Sequence, residues 1–420
     1  MLIRTVLNRI GDFKPWVIED VQFGEDTTAT TLEVRLRPRA NGKAFCSKCM
    51  RKCSGYDIQK EQGWEYVPLW GIKTLVFCER RRVQCPEHGV VVEWLPWAEG
   101  KRKLTKTFMC FLARWAKRLS IQEVGEVYRT SWRKVFDAVE WAVEWGLEHR
   151  DVEGVEAIGV DEIQRRKWHK YLTLVYQIDG KRSRLLWLGK DRTKKCLRSF
   201  FEEFGEEWTS KLKFICSDMW GNYLDVIKEK AKSALNVLDR YHLEANMNKA
   251  IDKVRAAEAK KLKAEGKDPW LKGTRWIFLK KKANRTEEDS ETLKNLLRRN
   301  LKTVRSCLLK DELNSKFWEY VSWYHAGRFL DKWCTKVMRS KIEPMKDMAK
   351  TLRKHRQLIL NWFKARKAGV SLGAVEGTNN KAKVIMRRAY GYRTYRVIRV
   401  MLYHGLGDLP APEIPHAFCC

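Results

Sequence analysis

The chain has 420 residues, too many for one ordinary core, and this length predicts two to four folded units. It carries 84 Lys and Arg against 52 Asp and Glu, a formal charge of +32. A charge this large exceeds what solubility requires and indicates a polyanionic partner, with nucleic acid as the first candidate and a merely soluble basic protein as the alternative. No run of about 18 apolar residues occurs, so we expect no membrane span, and the charged start of the chain argues against a secretion signal.

The first 150 residues change from a strand pattern to a helical pattern. Alternating apolar and polar residues predict a β-rich module between Val17 and Trp97. From Leu104 to His149 the apolar residues recur at helical spacing and predict two or three helices. Twelve cysteines, with only one pair of ligand-spaced motifs, fit a reducing cytoplasm better than a disulfide framework.

An α/β pattern follows, and then a long helical one. The segments between Val155 and Tyr241 predict the order βββαβαβ. Leu243 to Ala368 has almost no strand signal, and residues 251–310 hold 18 basic and 8 acidic side chains. Two more helices are predicted at Ser371–Ala389 and Tyr395–His404. We therefore predict a multidomain α/β protein with these segments: a β-rich module (1–100), a helix-turn-helix (101–150), the first part of the α/β core (151–242), a helical insertion (243–370), the C-terminal helices of the core (371–408) and a tail (409–420).

Two short motifs in the β-rich module predict a zinc site. Cys46-x-x-Cys49 and Cys85-x-x-His88 are separated by 35 residues, and each motif can form a turn that supplies two ligands. Two such turns can hold one zinc ion with tetrahedral geometry, as in a zinc ribbon. The bound metal supplies much of the stability of so small a module. Free thiols with a surface His are the alternative interpretation. Cys53 and Cys78 are possible substitute ligands.

Ser120 to Phe136 predicts two helices joined by a turn at Arg129–Ser131. The apolar spacing is that of a helix-turn-helix, and the second helix opens with Trp132, Arg133 and Lys134. Side chains at this position of a helix-turn-helix meet the major groove of DNA. An ordinary core hairpin would show a similar pattern, so both interpretations stay open.

Three acids form the candidate catalytic site. Asp161 is predicted to end the first core strand and Asp218 the fourth, and these strands are neighbours in a ribonuclease H-like sheet, so both carboxylates would emerge at one edge. Glu376 lies on a predicted helix, with Asn379, Asn380 and Lys383 following along one face. Three convergent acids are what a pair of magnesium ions requires. A single Asp after a strand is more often a turn or cap residue, and it is the trio that favours catalysis.

Together these motifs resemble the ISL-three family of bacterial insertion-sequence transposases, over nearly the whole chain. The resemblance is carried by the two-knuckle ribbon, the helix-turn-helix and the following sequences: Gly159-Val-Asp-Glu, Cys216-Ser-Asp-Met, Asp239-Arg-Tyr-His242, Glu376-Gly-Thr-Asn-Asn-Lys and Arg387-Arg-Ala-Tyr-Gly-Tyr-Arg393. It implies a ribonuclease H-like catalytic domain in which a helical insertion separates the second acid from the third, here by 157 residues. It also implies recognition of terminal inverted repeats and movement of the element's DNA.

The resemblance further implies roles for residues near the acids. Asp239-x-x-His242 resembles a signature that follows the second acid in several transposase groups and would lie beside the scissile phosphate, with Asn380 and Lys383 also close. A helix cap plus a structural His is the alternative interpretation of the first pair. The second knuckle departs from the commoner pattern, since it ends in His88 where a Cys is usual.

Basic residues outside the helix-turn-helix are predicted to contact DNA. Residues 381–400 hold seven Lys or Arg and no acid, and Tyr390, Tyr392 and Tyr395 are interleaved with them. The basic insertion is expected to fold over the active-site edge, and a remote dimerisation arm is the alternative. The predicted DNA contacts in these two regions are Lys280, Lys281, Lys282, Arg387, Arg388 and Arg393.

The sequence thus predicts a transposase of three carboxylates that cuts and rejoins DNA. It would use two magnesium ions, with manganese as a substitute, and one structural zinc ion. Its partners would be double-stranded DNA and at least one further copy of the chain, in the bacterial cytoplasm and on the nucleoid. A nuclease of the same fold without strand transfer and a non-enzymatic DNA-binding regulator are the alternatives.

Overall fold

A computed structural model describes residues 3–11, 13–24, 30–166, 170–179, 183–371, 373–388 and 392–413. The chain divides into two compact units, which are described separately below. The N-terminal unit comprises Met1–Asp151 and Val384–Cys420, and the central unit comprises Val152–Lys383. Among the described helices, none combines the length and the apolar content that crossing a membrane requires.

The N-terminal unit contains one six-stranded sheet. Its strands are β1 (Trp16–Phe23), β2 (Thr31–Pro38), β3 (Ala44–Phe45), β4 (Lys52–Leu69), β5 (Ile72–Cys85) and β6 (Gly89–Val92). The order is β1-β2-β5-β4-β3, with β6 on β5, and every pair is antiparallel except β2 with β5. Buried aromatic rings fill one face of the sheet, where Trp97 packs edge-on against Trp16 and Trp64. The β-rich prediction for this region is confirmed.

Among the described residues, five helices lie wholly within the N-terminal unit: α1 (Ile3–Ile10), α2 (Lys106–Trp115), α3 (Ile121–Val127), α4 (Trp132–Glu148) and, from the C-terminal part of the chain, α15 (Tyr395–Leu406). Ser120 starts α3 with a capping box, and Ser131 caps α4, so the predicted turn between the two helices is present. Arg129, with φ of 50°, makes the reversal. Arg396 on α15 forms a two-pronged ion pair with the buried Glu140 of α4.

The central unit contains a five-stranded sheet: β7 (Ala157–Arg166), β8 (Lys170–Gln177), β9 (Arg184–Gly189), β10 (Phe214–Ser217) and β11 (Leu235–Leu238). Its order is β11-β10-β7-β8-β9. β7 is parallel to β10, β10 is parallel to β11, and the other two pairs are antiparallel. Two helices, α5 (Lys194–Ser210) and α6 (Gly221–Lys230), stand between the strands in sequence, which confirms the predicted order βββαβαβ.

The rest of the central unit is helical, as predicted. Its helices are α7 (Arg240–Ala264), α8 (Arg275–Leu279), α9 (Glu287–Leu297), α10 (Lys302–Lys316), α11 (Trp323–Met338), α12 (Glu343–Lys354), α13 (Arg356–Lys367) and α14 (Ala374–Arg387). The helices from α7 to α13 share an apolar core of their own, and this core continues to Leu238 at the end of β11. Asn361 of α13 donates a hydrogen bond to the carbonyl oxygen of Asn236 in the same strand (2.8 Å).

Two boundaries differ from the sequence prediction. Asp161 does not end its strand, because β7 continues to Arg166 in an antiparallel ladder with β8. The predicted segment 371–408 is divided at Val384: α15 belongs to the N-terminal unit, where it packs on α4.

A buried ionic network holds the segment that follows α8. Arg285 donates hydrogen bonds to both carboxylate oxygens of Asp311 (2.6 and 3.0 Å) and to the carbonyl oxygens of Ile277 and Lys280. Lys310 is almost fully buried, and its ammonium group donates to three consecutive carbonyl oxygens beginning at Phe278. Buried charges are tolerated only when they are paired in this way.

We predict that Arg285→Met destabilises this part of the insertion strongly, because it leaves the Asp311 carboxylate buried without its partner. The expected cost is about 3–5 kcal/mol. Hydrogen exchange of the α8 and α10 amides would then accelerate at least about a hundredfold. The matched control is Lys350→Met, which removes the same charge from an exposed pair with Asp347 and should leave this exchange unchanged. Equal exchange in the two variants would contradict the prediction.

Candidate functional site

Two of the three candidate acids follow residues that face each other in the sheet. Val160 of β7 pairs with Ser217 of β10, and this pair is the last of the parallel ladder. Asp161 and Asp218 are the next residues on the two strands. The structure therefore brings both carboxylates to the same edge, although only one of the strands ends there.

Asp161 is buried and is held by a short chain of hydrogen bonds. The amide group of Asn379, on α14, donates to one carboxylate oxygen, and the backbone N–H of Glu162 donates to the other (2.7 Å). Tyr176 of β8 is fully buried, and its hydroxyl donates to the Asn379 side-chain oxygen (2.6 Å). The strand and the helix thus fix the orientation of the Asp161 carboxylate. Nothing in the sequence motif distinguished Asn379 from its neighbour Asn380.

A glycine permits the close approach of α14 to β7. A Cβ atom added at Gly159 would lie 2.3 Å from the Val375 side chain, so only glycine fits there. Val375 is buried against the strand, and Glu376 is the next residue, in the first turn of α14. The Gly159-Val-Asp-Glu motif therefore combines a contact point for the helix with an acid two residues later.

Asp239 and His242 lie at the same edge. The backbone N–H of Asp239 donates to the Ser217 carbonyl oxygen (2.9 Å), and its side chain caps α7 by accepting from the Tyr241 N–H (2.8 Å). His242 Nε2 is 3.6 Å from an Asp161 oxygen and 3.9 Å from an Asp239 oxygen. Asp239 is therefore a helix cap, as the alternative interpretation of the motif expects, and His242 also lies next to Asp161.

The ionisation of these groups reflects burial and mutual attraction. The nearby Asp161 carboxylate, 3.6 Å from Nε2, raises the pKa of His242 to about 9, so the imidazole is protonated at neutral pH. Burial raises the pKa of Asp239 to about 6, and the charges of Asp161 and Glu376 add to this effect. Burial also raises the pKa of Asp218, whose side chain accepts a hydrogen bond from the Trp220 N–H (2.7 Å).

Glu376 lies on the exposed side of α14, as do Asn380 and Lys383, whereas Asn379 faces inward. The electrostatic influence of Glu376 reaches Asp239. The described residues contain one group of three or more potential metal ligands within 4.8 Å of one another, and the three candidate acids are not that group. The donors at this edge are nevertheless carboxylate oxygens, which are the ligands that magnesium prefers.

Glu162 is a charged neighbour that the sequence analysis missed. Its side chain pairs with Arg192 (2.8 Å), whose guanidinium stacks on Tyr171 and Trp220. Burial raises the pKa of Glu162, and among the described residues its second oxygen has no hydrogen-bond partner. The acidic pair Asp161-Glu162 was visible in the sequence, but the strand pattern places the two side chains on opposite faces.

The compact ligand group lies in the N-terminal unit and consists of Cys46, Cys49, Cys85 and His88. The Cys49 and Cys85 sulfurs are 3.7 Å apart, and His88 Nδ1 is 3.6 Å from Cys85 and 3.8 Å from Cys46. Three cysteine sulfurs and an imidazole at this spacing fit a zinc ion. Burial opposes ionisation of Cys85, but hydrogen bonds with His88, Glu87 and Cys46 together outweigh it and lower the pKa to about 6.

The two substitute cysteines lie outside this group. Cys53 donates a hydrogen bond to the Arg51 carbonyl oxygen, and its pKa is raised by burial. Cys78 belongs to the apolar core, where burial raises its pKa to about 12. Neither thiol therefore belongs to the compact group of four potential ligands.

The candidate DNA contacts differ in their surroundings. Trp132 and Arg133 are exposed at the start of α4, whereas Lys134 is paired with the buried Glu65 (2.5 Å).

The candidate contacts near the end of the chain also differ from one another. Arg388 donates to the carbonyl oxygens of Lys117 and Arg118 in its own unit. Arg387 and Arg393 are exposed, and Tyr390 lies outside the described residues.

The three candidate lysines of the insertion are also unequal. Lys280 pairs with Asp289 (2.6 Å) and Lys281 pairs with Glu244 (2.8 Å). Lys282 is exposed and forms no ion pair with any described residue.

Comparison with known proteins identifies the family. The ISL-three transposase model, described as "Transposase", matches residues 158–402. The transposase for insertion sequence element IS1557 of Mycobacterium tuberculosis is 29% identical over 413 residues, which cover 92% of this chain and 91% of that protein. The transposase for insertion sequence element IS1001 of Bordetella parapertussis is 26% identical over 397 residues, which cover 94% and 96% of the two chains. The chain belongs to the ISL-three family of insertion-sequence transposases.

Proposed function

We propose that this protein is a DDE transposase that binds the terminal inverted repeats of an insertion sequence and catalyses magnesium-dependent DNA cleavage and strand transfer. The catalytic and magnesium-binding residues would be Asp161, Asp218 and Glu376. The observation that carries the proposal is the pairing of Val160 with Ser217, because it sets the first two acids side by side on neighbouring strands.

We propose a ribonuclease H-like core for the central sheet. Support comes from its strand order, in which the first strand lies between the second and the fourth, and from the parallel pairing of the first strand with the fourth. The helices between β11 and α14 would then be an insertion, and α14 would return the third acid to the core. The six sequence segments given above remain our proposed division of function along the chain, except that α15 belongs with the N-terminal unit.

The protein's own groups would prepare the site for DNA. Magnesium ions, when bound, supply a Lewis acid that activates an attacking oxygen and stabilises the leaving one. Asn379 and the Glu162 N–H keep the Asp161 carboxylate in one orientation. The protonated His242 reduces the repulsion that a phosphate would meet at an edge rich in carboxylates. Asn380 and Lys383, exposed on α14, would contact the DNA near the scissile bond.

The basic surfaces would guide double-stranded DNA to this edge. We propose contacts by Trp132 and Arg133 at the start of α4, by Lys282 in the insertion, and by Arg387 and Arg393. Lys134, Lys280, Lys281 and Arg388 would contribute less, because each is already engaged with a protein group. A synapse of two DNA ends would require at least two copies of the chain, acting on the bacterial nucleoid.

We expect Asp161→Asn, Asp218→Asn and Glu376→Gln each to abolish magnesium-dependent strand cleavage. Each amide keeps the shape of the side chain but removes its charge, so metal binding is lost. The measurement is cleavage and joining of a labelled duplex that carries an element end, with binding of the same duplex measured in parallel and expected to change little.

The control for these variants is Asp225→Asn, an exposed acid of α6 paired with Lys194. It should cleave as the native protein does. Cleavage at the native rate by any of the three acid variants would refute the site. Native cleavage without joined products would instead favour a nuclease of the same fold.

Zinc is expected at one ion per chain, held by Cys46, Cys49, Cys85 and His88. Cys49→Ser should lose the zinc and unfold the small module, because the metal contributes much of its folding free energy. Cys53→Ser is the matched control and should retain a full equivalent. Elemental analysis after dialysis against a chelator measures the content, and equal zinc in both variants would show that the ligand set is different.

Lys282→Gln is expected to lower the salt dependence of DNA binding. Removing one phosphate-binding cation reduces the slope of log affinity against log salt concentration by about 0.9, with little dependence on DNA sequence. Lys281→Gln should have a smaller effect, since Glu244 already neutralises that lysine. An unchanged slope for Lys282→Gln together with weaker self-association would assign the insertion to assembly of the protein.

A further inference from the structure

The tip of the β4–β5 hairpin carries an exposed tryptophan that folding does not explain. Leu69 pairs with Ile72, so Trp70 and Gly71 form a two-residue turn, with φ of 50° and 78°. Turns of this kind favour Asn, Asp and Gly, and a bulky residue with positive φ is rare. The Trp70 side chain is nevertheless 79% exposed, so it adds nothing to the core.

A buried carboxylate links this hairpin to the start of α4. Glu65 of β4 accepts hydrogen bonds from the Thr130 hydroxyl (2.7 Å) and from the Lys134 ammonium (2.5 Å). Lys73, next to the hairpin tip, is 3.7 Å from the same Glu65 oxygen. One acid thus joins the turn before α4, the first turn of α4 and the tip end of the hairpin.

The surface around this link is aromatic and basic. Trp132, in the first turn of α4, is 63% exposed, and Arg133 beside it is exposed as well. The backbone of Glu65 bonds on one edge to Lys103 and Thr105, so the basic run Lys101-Arg-Lys passes next to the hairpin. Exposed indoles among Lys and Arg side chains are typical of surfaces that bind nucleic acid.

We propose that the β4–β5 tip is a DNA-binding wing that places the Trp70 ring in the groove next to the one contacted by α4. From Glu65 to the turn the hairpin extends five residues, about 17 Å. A major groove is about 12 Å wide, so the tip reaches the neighbouring minor groove when the first turn of α4 lies in the major groove. Apolar side chains wedge between base steps in that groove. The proposal rests on the DNA binding proposed above.

Trp70→Asn tests the wing, because asparagine suits the turn better than tryptophan and should leave the fold intact or more stable. Binding is measured with the full chain in magnesium-free buffer, so that cleavage is not required. The probes are a duplex of about 30 base pairs from an element end and a random duplex of the same length. Loss of a stacking ring should weaken binding by about fivefold to a hundredfold, with an unchanged salt slope because no charge is removed. Trp70→Phe should restore most of the affinity.

The matched control is Ile58→Thr, which alters a side chain on the same hairpin that is 64% exposed and far from the tip. It should bind both duplexes as the native chain does. Native affinity in Trp70→Asn would overturn the wing, and if self-association fell at the same time, the tryptophan would be a contact between copies of the chain. Failure of the native chain to bind either duplex would refute the proposed DNA binding itself. Equal losses in Trp70→Asn and Ile58→Thr would also overturn the wing.

Discussion

Electrostatic repulsion between carboxylates is the constraint around which the central unit is organised. Asp161 and Asp239 are buried near the half-buried Asp218 at one sheet edge, where low solvent exposure makes like charges costly. His242 offsets this cost, since its protonated ring lies within 4 Å of two of the carboxylates. An amide, from Asn379, supplies a further donor without adding charge. This edge thus holds three carboxyl groups against one imidazole, a balance that favours a cation over a phosphate.

The groups that orient the Asp161 carboxylate come from elements that are distant in sequence. β7 and β10 supply two acids, but the donor that orients Asp161 comes from α14, more than 200 residues further along. Tyr176 holds that donor from β8, and Gly159 lets the helix approach the strand. Displacement of α14 would therefore disturb Asp161 as well as Glu376. The helices between β11 and α14 must place α14 against β7 for these contacts to form. Their apolar core continues directly to β11.

Local patterns in the sequence predicted the order of the secondary-structure elements. They did not predict which residues of distant elements contact each other. Periodicity gave the order βββαβαβ, and spacing gave all four members of the Cys/His group. The continuation of β7 past Asp161 was missed, because a strand paired on only one side has no separate signature in the sequence. The link from Glu65 to Lys134 and the contact of Asn379 with Asp161 join residues far apart in the chain. Periodicity carries no information about such pairs.

Formal charge overstates how much of the basic surface is available to DNA. Residues 251–310 have ten more basic than acidic side chains, yet Arg285 is buried with Asp311, and Lys310 is buried against carbonyl oxygens. These cations stabilise the insertion and cannot reach a phosphate. A cation that already has a carboxylate partner contributes less to the counterion release from DNA that sets the salt dependence of affinity. The positive charge that exposed side chains can offer to DNA is therefore smaller than the formal charge of +32.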